Sequence, residues 1–240
     1  EFQFLDRDSN NYRTRLISPQ LTNDGGLLFL SGGPLRKINS CSELIFQNTK
    51  DEFHHSIETD IDGNIWSPTY IYPTSISSEK VGGDLKRTFL DDGIVKLSPN
   101  GKILYEKSIA EIFIENDMEY LLFAVGDRSF DKDPIHLNDI QPVNFDSNFW
   151  KKGDVFLSLR HQSMVLLFRP STGEIVWKST GKYFHQHDVD ILDNHRISIF
   201  NNNSKDFASG DKVDGNNDVI IYSFISNQYS SYLPESFIEN

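Results

Sequence analysis

The chain of 240 residues has a single cysteine, Cys41, and two methionines. One cysteine excludes an internal disulfide framework and a cysteine-rich zinc site. No apolar run approaches the roughly 18 residues that a membrane-spanning helix needs. No secretory leader is visible, and the sequence opens Glu1-Phe2-Gln3 without Met, so it is expected to be part of a longer chain. Basic residues are scarce: 23 Lys and Arg stand against 35 Asp and Glu, for a formal net charge of −12. Such an acidic chain is a poor partner for nucleic acid or an anionic membrane, although a locally positive site can still hold a small anion. There is no Walker motif, no glycine-rich dinucleotide fingerprint and no serine nucleophile elbow. Gly82-Gly83 lacks the context of a phosphate loop.

What the chain has is aromatic mass and period-two patterning. Aromatics make up 12% of it, with 18 Phe and 9 Tyr, enough to order a core. Short alternating runs are separated by Asp62-Gly63-Asn64, Pro99-Asn100-Gly101, Ser171-Thr172-Gly173 and Asp193-Asn194, the signature of hairpins. Strands are expected at about 26–31, 34–38, 43–48, 54–60, 64–70, 93–98, 102–107, 137–143, 154–160, 164–169, 174–179, 187–192, 195–201, 218–224 and 227–232. The fold class is all-β. One helix interrupts it at about 109–124, opened by the capping box Ser108 to Glu111 and closed by Gly126.

The units repeat. Phe53-His54-His55-Ser56-Ile57-Glu58 aligns with His136-Leu137-Asn138-Asp139-Ile140-Gln141 and with His185-Gln186-His187-Asp188-Val189-Asp190. In this register His55 falls on Asn138 and His187. A second strand and an outer hairpin follow each stretch. Four strands per unit make a propeller blade, and a less regular unit at about 18–49 brings the count to four.

Five of the 7 histidines lie in these three strand starts: His54, His55, His136, His185 and His187. A lone histidine there is most simply turn chemistry, but polar residues in register converge at a propeller's centre. His54 and His55 are expected to face opposite ways, with His55 inward. Arg160 closes the strand 154–160 and would reach the same place if that strand runs beside the inner one. His161 and His195 fall outside the register and read as structural or exposed. Asp211 to Asp218 reads as a polar loop, since it lacks the calcium-loop spacing. Clustered imidazoles fit two chemistries. Three could hold zinc, although Arg160 beside a dication is unfavourable. Alternatively a neutral imidazole attacks an anionic ester while Arg160 and other imidazoles hold the transferred oxygens.

With these residues in view, the sequence resembles the arylsulfotransferase family. The matching pieces are His54-His55 before Asp-Gly-Asn, His136-x-Asn138, Gly153-Asp154-Val155 leading to Ser158-Leu159-Arg160, Ser171 to Trp177, and Gln186-His187-Asp188. They span about residues 50–200. The resemblance implies a six-bladed β-propeller, of which about four blades are present here. It implies transfer of a sulfuryl group from an aryl sulfate to a phenol, by a ping-pong route through a sulfated histidine. No cofactor, metal or nucleotide sulfate donor is implied. Carried over by motif, His187 is the nucleophile, and His55, His136 and Arg160 hold and polarise the sulfuryl oxygens. Asn138 and His185 support binding. Asp139 departs from the small residue usual there. The resemblance further implies export to the periplasm, with any membrane anchor lying outside this chain. Two readings of other classes compete: a non-catalytic propeller that binds a partner, and a metal-dependent hydrolase.

Overall fold

The computed structural model describes residues 16–31, 33–49, 52–83, 88–124 and 130–233. Four antiparallel sheets follow one another along the chain. The first holds β1 (Ile17–Leu21), β2 (Leu27–Leu30), β3 (Leu35–Ile38) and β4 (Leu44–Asn48) in that order. In the second, β5 (Glu52–Phe53) and β6 (Glu58–Thr59) both pair with β7 (Ile65–Tyr70). A helical turn, α1 (Ser78–Val81), precedes β8 (Asp92–Leu97) and β9 (Ile103–Ser108), which complete that sheet. Then come α2 (Ile109–Glu115) and α3 (Tyr120–Phe123). The third sheet is β10 (Leu137–Pro142), β11 (Val155–Leu159), β12 (Met164–Arg169) and β13 (Glu174–Thr180). The fourth begins with β14 (Val189–Ile191) and β15 (Arg196–Asn201). A separate hairpin, β16 (Ser204–Phe207) and β17 (Gly210–Val213), intervenes before β18 (Asp218–Ser223) and β19 (Gln228–Ser231) close the sheet.

Four-stranded antiparallel meanders packed in series are the blades of a β-propeller. Three cores join them. Leu28, Leu30 and Leu35 of the first blade pack with Phe53, Ile65 and Val95 of the second. Trp66 and Ile94 pack with Leu137, Leu157 and Leu166 of the third, roofed by Ile109, Ile112 and Phe113 of α2. Trp150, Phe156 and Leu167 pack with Ile197, Tyr222 and Phe224 of the fourth. Each large side chain buried in this way contributes about 1.5–3 kcal/mol before entropy is counted. Gly101 shows how tightly the outer edges meet. It has φ +79°, and a Cβ there would lie 2.5 Å from the Phe46 ring of the neighbouring blade.

The structure differs from the sequence expectations in four places. The helix expected over 109–124 is two, because Asn116 caps α2. Its amide donates to Ile112 O and to Gly173 O of the next blade, and its Oδ1 accepts from the Ile175 N–H. Asp117 then turns left-handed at φ 56°. Ser108 caps α2 as expected, accepting from the Glu111 N–H at 3.2 Å, while the expected stop at Gly126 lies outside the described residues. The strand expected over 54–60 breaks between β5 and β6, around His55 at φ 59°. The loop expected over 211–218 begins as strand β17. Phe207 and Val213 are largely exposed on that hairpin, so no buried face marks it in the pattern. Finally, the first blade opens with a strand, β1, that alternation does not reveal.

Candidate active site

The inner strand of each blade opens with a residue in the left-handed region. These are Ser18, His55, His136 and His185, with φ of 47°, 59°, 54° and 47°. For β-carbon residues this conformation is uncommon and marks a turn or a constrained site. Three residues further on, Leu21 pairs with Leu27, Glu58 with Trp66 and Asp139 with Ser158, and the Phe200 N–H bonds Asp188 O. The blade-equivalent histidines are therefore His55, His136 and His185. This corrects the register read from sequence, which set His55 against Asn138 and His187. Those two lie two residues beyond the left-handed position. The kink also cancels strand alternation at His54, so the two rings do not point to opposite sides. Their Nδ1 atoms are 2.7 Å apart.

The rings form a continuous group. The His55 centroid is 5.0 Å from His136 and 6.3 Å from His187. His136 is 4.4 Å from His161, and His161 is 6.1 Å from His185. Every histidine except His195 takes part; His195 sits in a turn beside Asp193 and Asn194. β11 does run beside the inner strand, and the Arg160 N–H donates to His136 O at 3.0 Å. This brings the half-buried guanidinium close enough to bear on both His185 and His187. Arg160 Nη2 also lies 4.0 Å from Asp211 Oδ2, on the β16–β17 hairpin. Asn138 does not face the rings with its amide nitrogen, which donates to Gln186 O at 2.8 Å. Asp139 turns the other way, and its Oδ2 accepts from the Val189 N–H at 3.0 Å.

Burial and crowding lower His54, His55, His185 and His187. Burial lowers His55 to about 3, helped by His54, His136 and His187. Burial also lowers His187, with Arg160, His136 and His185 adding to the effect against the opposing bond to the His185 carbonyl. His185 is lowered by burial and then by Arg160. One carboxylate behaves differently. Burial would raise Asp133, but the bond from His136, with His136, His161 and His54 nearby, outweighs it and holds Asp133 ionised. Nδ1 of His136 lies 2.7 Å from Asp133 Oδ2. Nδ1 of His161 is 2.5 Å from Asp133 O, so that nitrogen carries the proton. Asp133, His136 and His161 are spaced as metal donors would be, and so are His185, Asp206 and Asp211. In the first group, however, Nδ1 of His136 and Oδ2 of Asp133 already bond each other.

The His187 ring is oriented through Nδ1. That atom is 3.3 Å from His185 O and 2.7 Å from the Asn202 amide. The carbonyl only accepts, and the amide turns either way. A protonated Nδ1 satisfies both when Asn202 presents its oxygen. The lone pair of His187 is then on Nε2.

Residues 18–239 match the family described as Arylsulfotransferase (ASST). The chain belongs to the arylsulfotransferase family. No curated protein matches the sequence. Among solved structures, a protein of unknown function from Bacteroides caccae is similar at 13% identity and TM-score 0.54, covering 94% of this chain and 63% of that one. The RRP9 WD40 repeats are similar at 9% identity and TM-score 0.51, covering 94% and 52%. Hydrazine synthase of Kuenenia stuttgartiensis is similar at 11% identity and TM-score 0.50, covering 92% and 50%. At these identities the likeness concerns the propeller fold alone. The arylsulfotransferase-family chain spans between half and about two thirds of the length of these structures.

Sequence reasoning missed five side chains at this candidate site: His54, Asp92, Asp133, His161 and Asn202. His161 is a correction, since it packs on His136 instead of standing apart. Its position just after Arg160, at the tip between β11 and β12, was the available signal. Asp133 lies three residues before His136, a spacing that reads equally as a loop. Asp92 and Asn202 lie far from their partners in sequence, and only the blade geometry joins them.

Proposed function

We propose that this chain carries the sulfuryl-transfer site of a nucleotide-independent aryl-sulfate sulfotransferase, with His187 as nucleophile. The observation that supports this most is the convergence of imidazoles, His187 held below its ordinary value among them, on a half-buried arginine in a member of the arylsulfotransferase family. The Nε2 lone pair of His187 attacks sulfur, the bond from sulfur to the aryl oxygen breaks, and a phenolate leaves. A second phenol then attacks the sulfohistidine, the bond from sulfur to nitrogen breaks, and His187 is regenerated. Arg160 and His136 hold the sulfuryl oxygens as charge builds on them, and His55 faces the leaving and attacking phenol oxygens. Such prearranged donors act mainly by electrostatic stabilisation. Asn138 fixes the strand start that carries His187, and His185 lines the same opening. A histidine held below its ordinary value stays nucleophilic at neutral pH.

Incubation with a chromogenic aryl sulfate and a phenol, without nucleotide, tests the reading. Phenol release that depends on acceptor, and that is lost in His187→Ala, supports it. No release would favour a propeller that only binds a partner.

A further inference from the structure

Beside His55 stands a file of two more groups. His54 Nδ1 is 2.7 Å from His55 Nδ1. His54 Nε2 is 3.2 Å from Asp92 Oδ1. Asp92 is fully buried at the start of β8, and His54 is largely buried, its ring lying on Tyr70 with centroids 4.3 Å apart. Beyond that pair, Asp92 meets the backbone N–H groups of Leu137 and His136, and His54 meets the backbone of Thr69. A buried carboxyl set against a buried imidazole nitrogen needs an explanation. Nothing in the sulfuryl-transfer step uses them.

We propose that Asp92, His54 and His55 form a proton relay that lets His55 Nε2 give a proton to the leaving phenolate and take one from the acceptor phenol. The relay rests on the sulfotransferase reading above, and it assigns to His54 and Asp92 a positioning and proton-storing role. In the donating state Asp92 is protonated and donates to His54 Nε2. His54 Nδ1–H donates to His55 Nδ1, and His55 Nε2–H points into the site. When His55 protonates the departing oxygen, each proton moves one place forward. Asp92 is then a carboxylate, His54 carries its proton on Nε2, and His55 carries its proton on Nδ1. The His55 Nε2 lone pair now faces the site and accepts the proton of the second phenol as its oxygen attacks the sulfohistidine. The file returns to its first state. One proton leaves and one returns in each cycle, and neither imidazole becomes a cation.

The surroundings favour this arrangement over an imidazolium. Facing His55 are His136, His187, His54 and Asp133, and facing His54 are His136, Asp133, Glu52 and Asp92. Burial lowers both rings to about 3. Burial and Asp133 push Asp92 well up, against His136 and the backbone N–H groups of Leu137 and His136. A proton entering the file therefore rests on the carboxyl, not on a ring.

Nitrogen-15 spectra of histidine-labelled protein give a test independent of turnover. From about pH 5 to about pH 9, a range wide around the ordinary histidine value, both rings are expected to stay neutral and to exchange tautomers together at one midpoint. In Asp92→Asn the exchange should vanish. An imidazolium at either ring, independent exchange, no exchange, or exchange that survives Asp92→Asn would overturn the relay. Turnover gives the second arm. With phenyl sulfate, whose leaving phenol has a pKa near that of tyrosine at about 10, Asp92→Asn should lower kcat by on the order of 100-fold. With a nitrophenyl sulfate, whose leaving group needs no proton, the loss should be only about threefold or less. Equal losses with both donors would make Asp92 merely structural. If the parent protein transfers no sulfuryl group, the sulfotransferase reading fails, and the spectra alone decide whether the relay exists. Should Asp92→Asn fail to fold, the parent spectra still decide it.

Discussion

The side-chain amide of Asn138 donates to the backbone carbonyl of Gln186 at 2.8 Å, joining the inner strand of the third blade to the strand start that carries His185 and His187. Gln186 returns the contact, its own buried amide reaching Ser158 Oγ, Leu159 O and Met164 O. The position of His187 thus depends also on bonds that cross to the third blade. Asn138→Ala leaves a buried carbonyl unpaired, which costs about 1–3 kcal/mol. We expect a lower urea midpoint together with a fall of at least about tenfold in kcat, since a small misplacement of a reacting group is costly. Loss of stability with full kcat would show that Asn138 is only a brace.

Asn202 sets the proton position on His187. Asn202→Asp places a carboxylate against Nδ1–H, favours the imidazolium and raises His187. The acid limb of kcat/KM should move to higher pH, and Asn202→Ala should leave it unmoved while lowering kcat. A pH profile of the three proteins checks this.

Glu58 is raised to about 7, first by burial and then by Asp190 and Asp188. Its folded value lies above its unfolded one, so the folded state binds the extra proton between about pH 4 and 7. The stability it contributes is complete below about pH 4 and is lost as pH rises through 7. Glu58→Gln should therefore be more stable than the parent at pH 8, by up to roughly 3 kcal/mol. The difference should vanish near pH 4. Chemical denaturation at the two pH values measures it.

Asp154 bonds Arg169 through both oxygens, at 2.8 Å each, and accepts from the Lys151 N–H. Its carboxylate is nearly fully buried. Asp154→Ala removes the paired charge from a part-exposed arginine and should cost about 1.5–3 kcal/mol. Because the pair lies at the far end of β11 from Arg160, activity measured well below the midpoint should change little. A thermal scan with parallel turnover separates the two effects.

The all-β class, the blade hairpins and the cap at Ser108 were legible because each rests on local chemistry: alternation, glycine at positive φ and a hydroxyl before a helix. The convergence of His55, His136, His187 and Arg160 was legible through repeated motifs. The break at His55 was not, since nothing in Phe53-His54-His55-Ser56 announces a left-handed histidine. That one dihedral angle moved the register by two residues and turned His54 from an outward side chain into the partner of His55. The capping role of Asn116 was hidden for a different reason. Its bonds to Gly173 and Ile175 belong to a blade more than fifty residues away. The β16–β17 hairpin, with its exposed Phe207 and Val213, gives no burial pattern to read.

The central claim is that His187 takes the sulfuryl group. The most direct measurement is peptide mass spectrometry after brief exposure to an aryl sulfate without acceptor, quenched at alkaline pH to preserve the phosphoramidate-like bond. The account predicts one added sulfuryl mass on the peptide containing His187, absent in His187→Ala and discharged when a phenol is added. Phenol release with no modified histidine, or a stable label on a different residue, would contradict it.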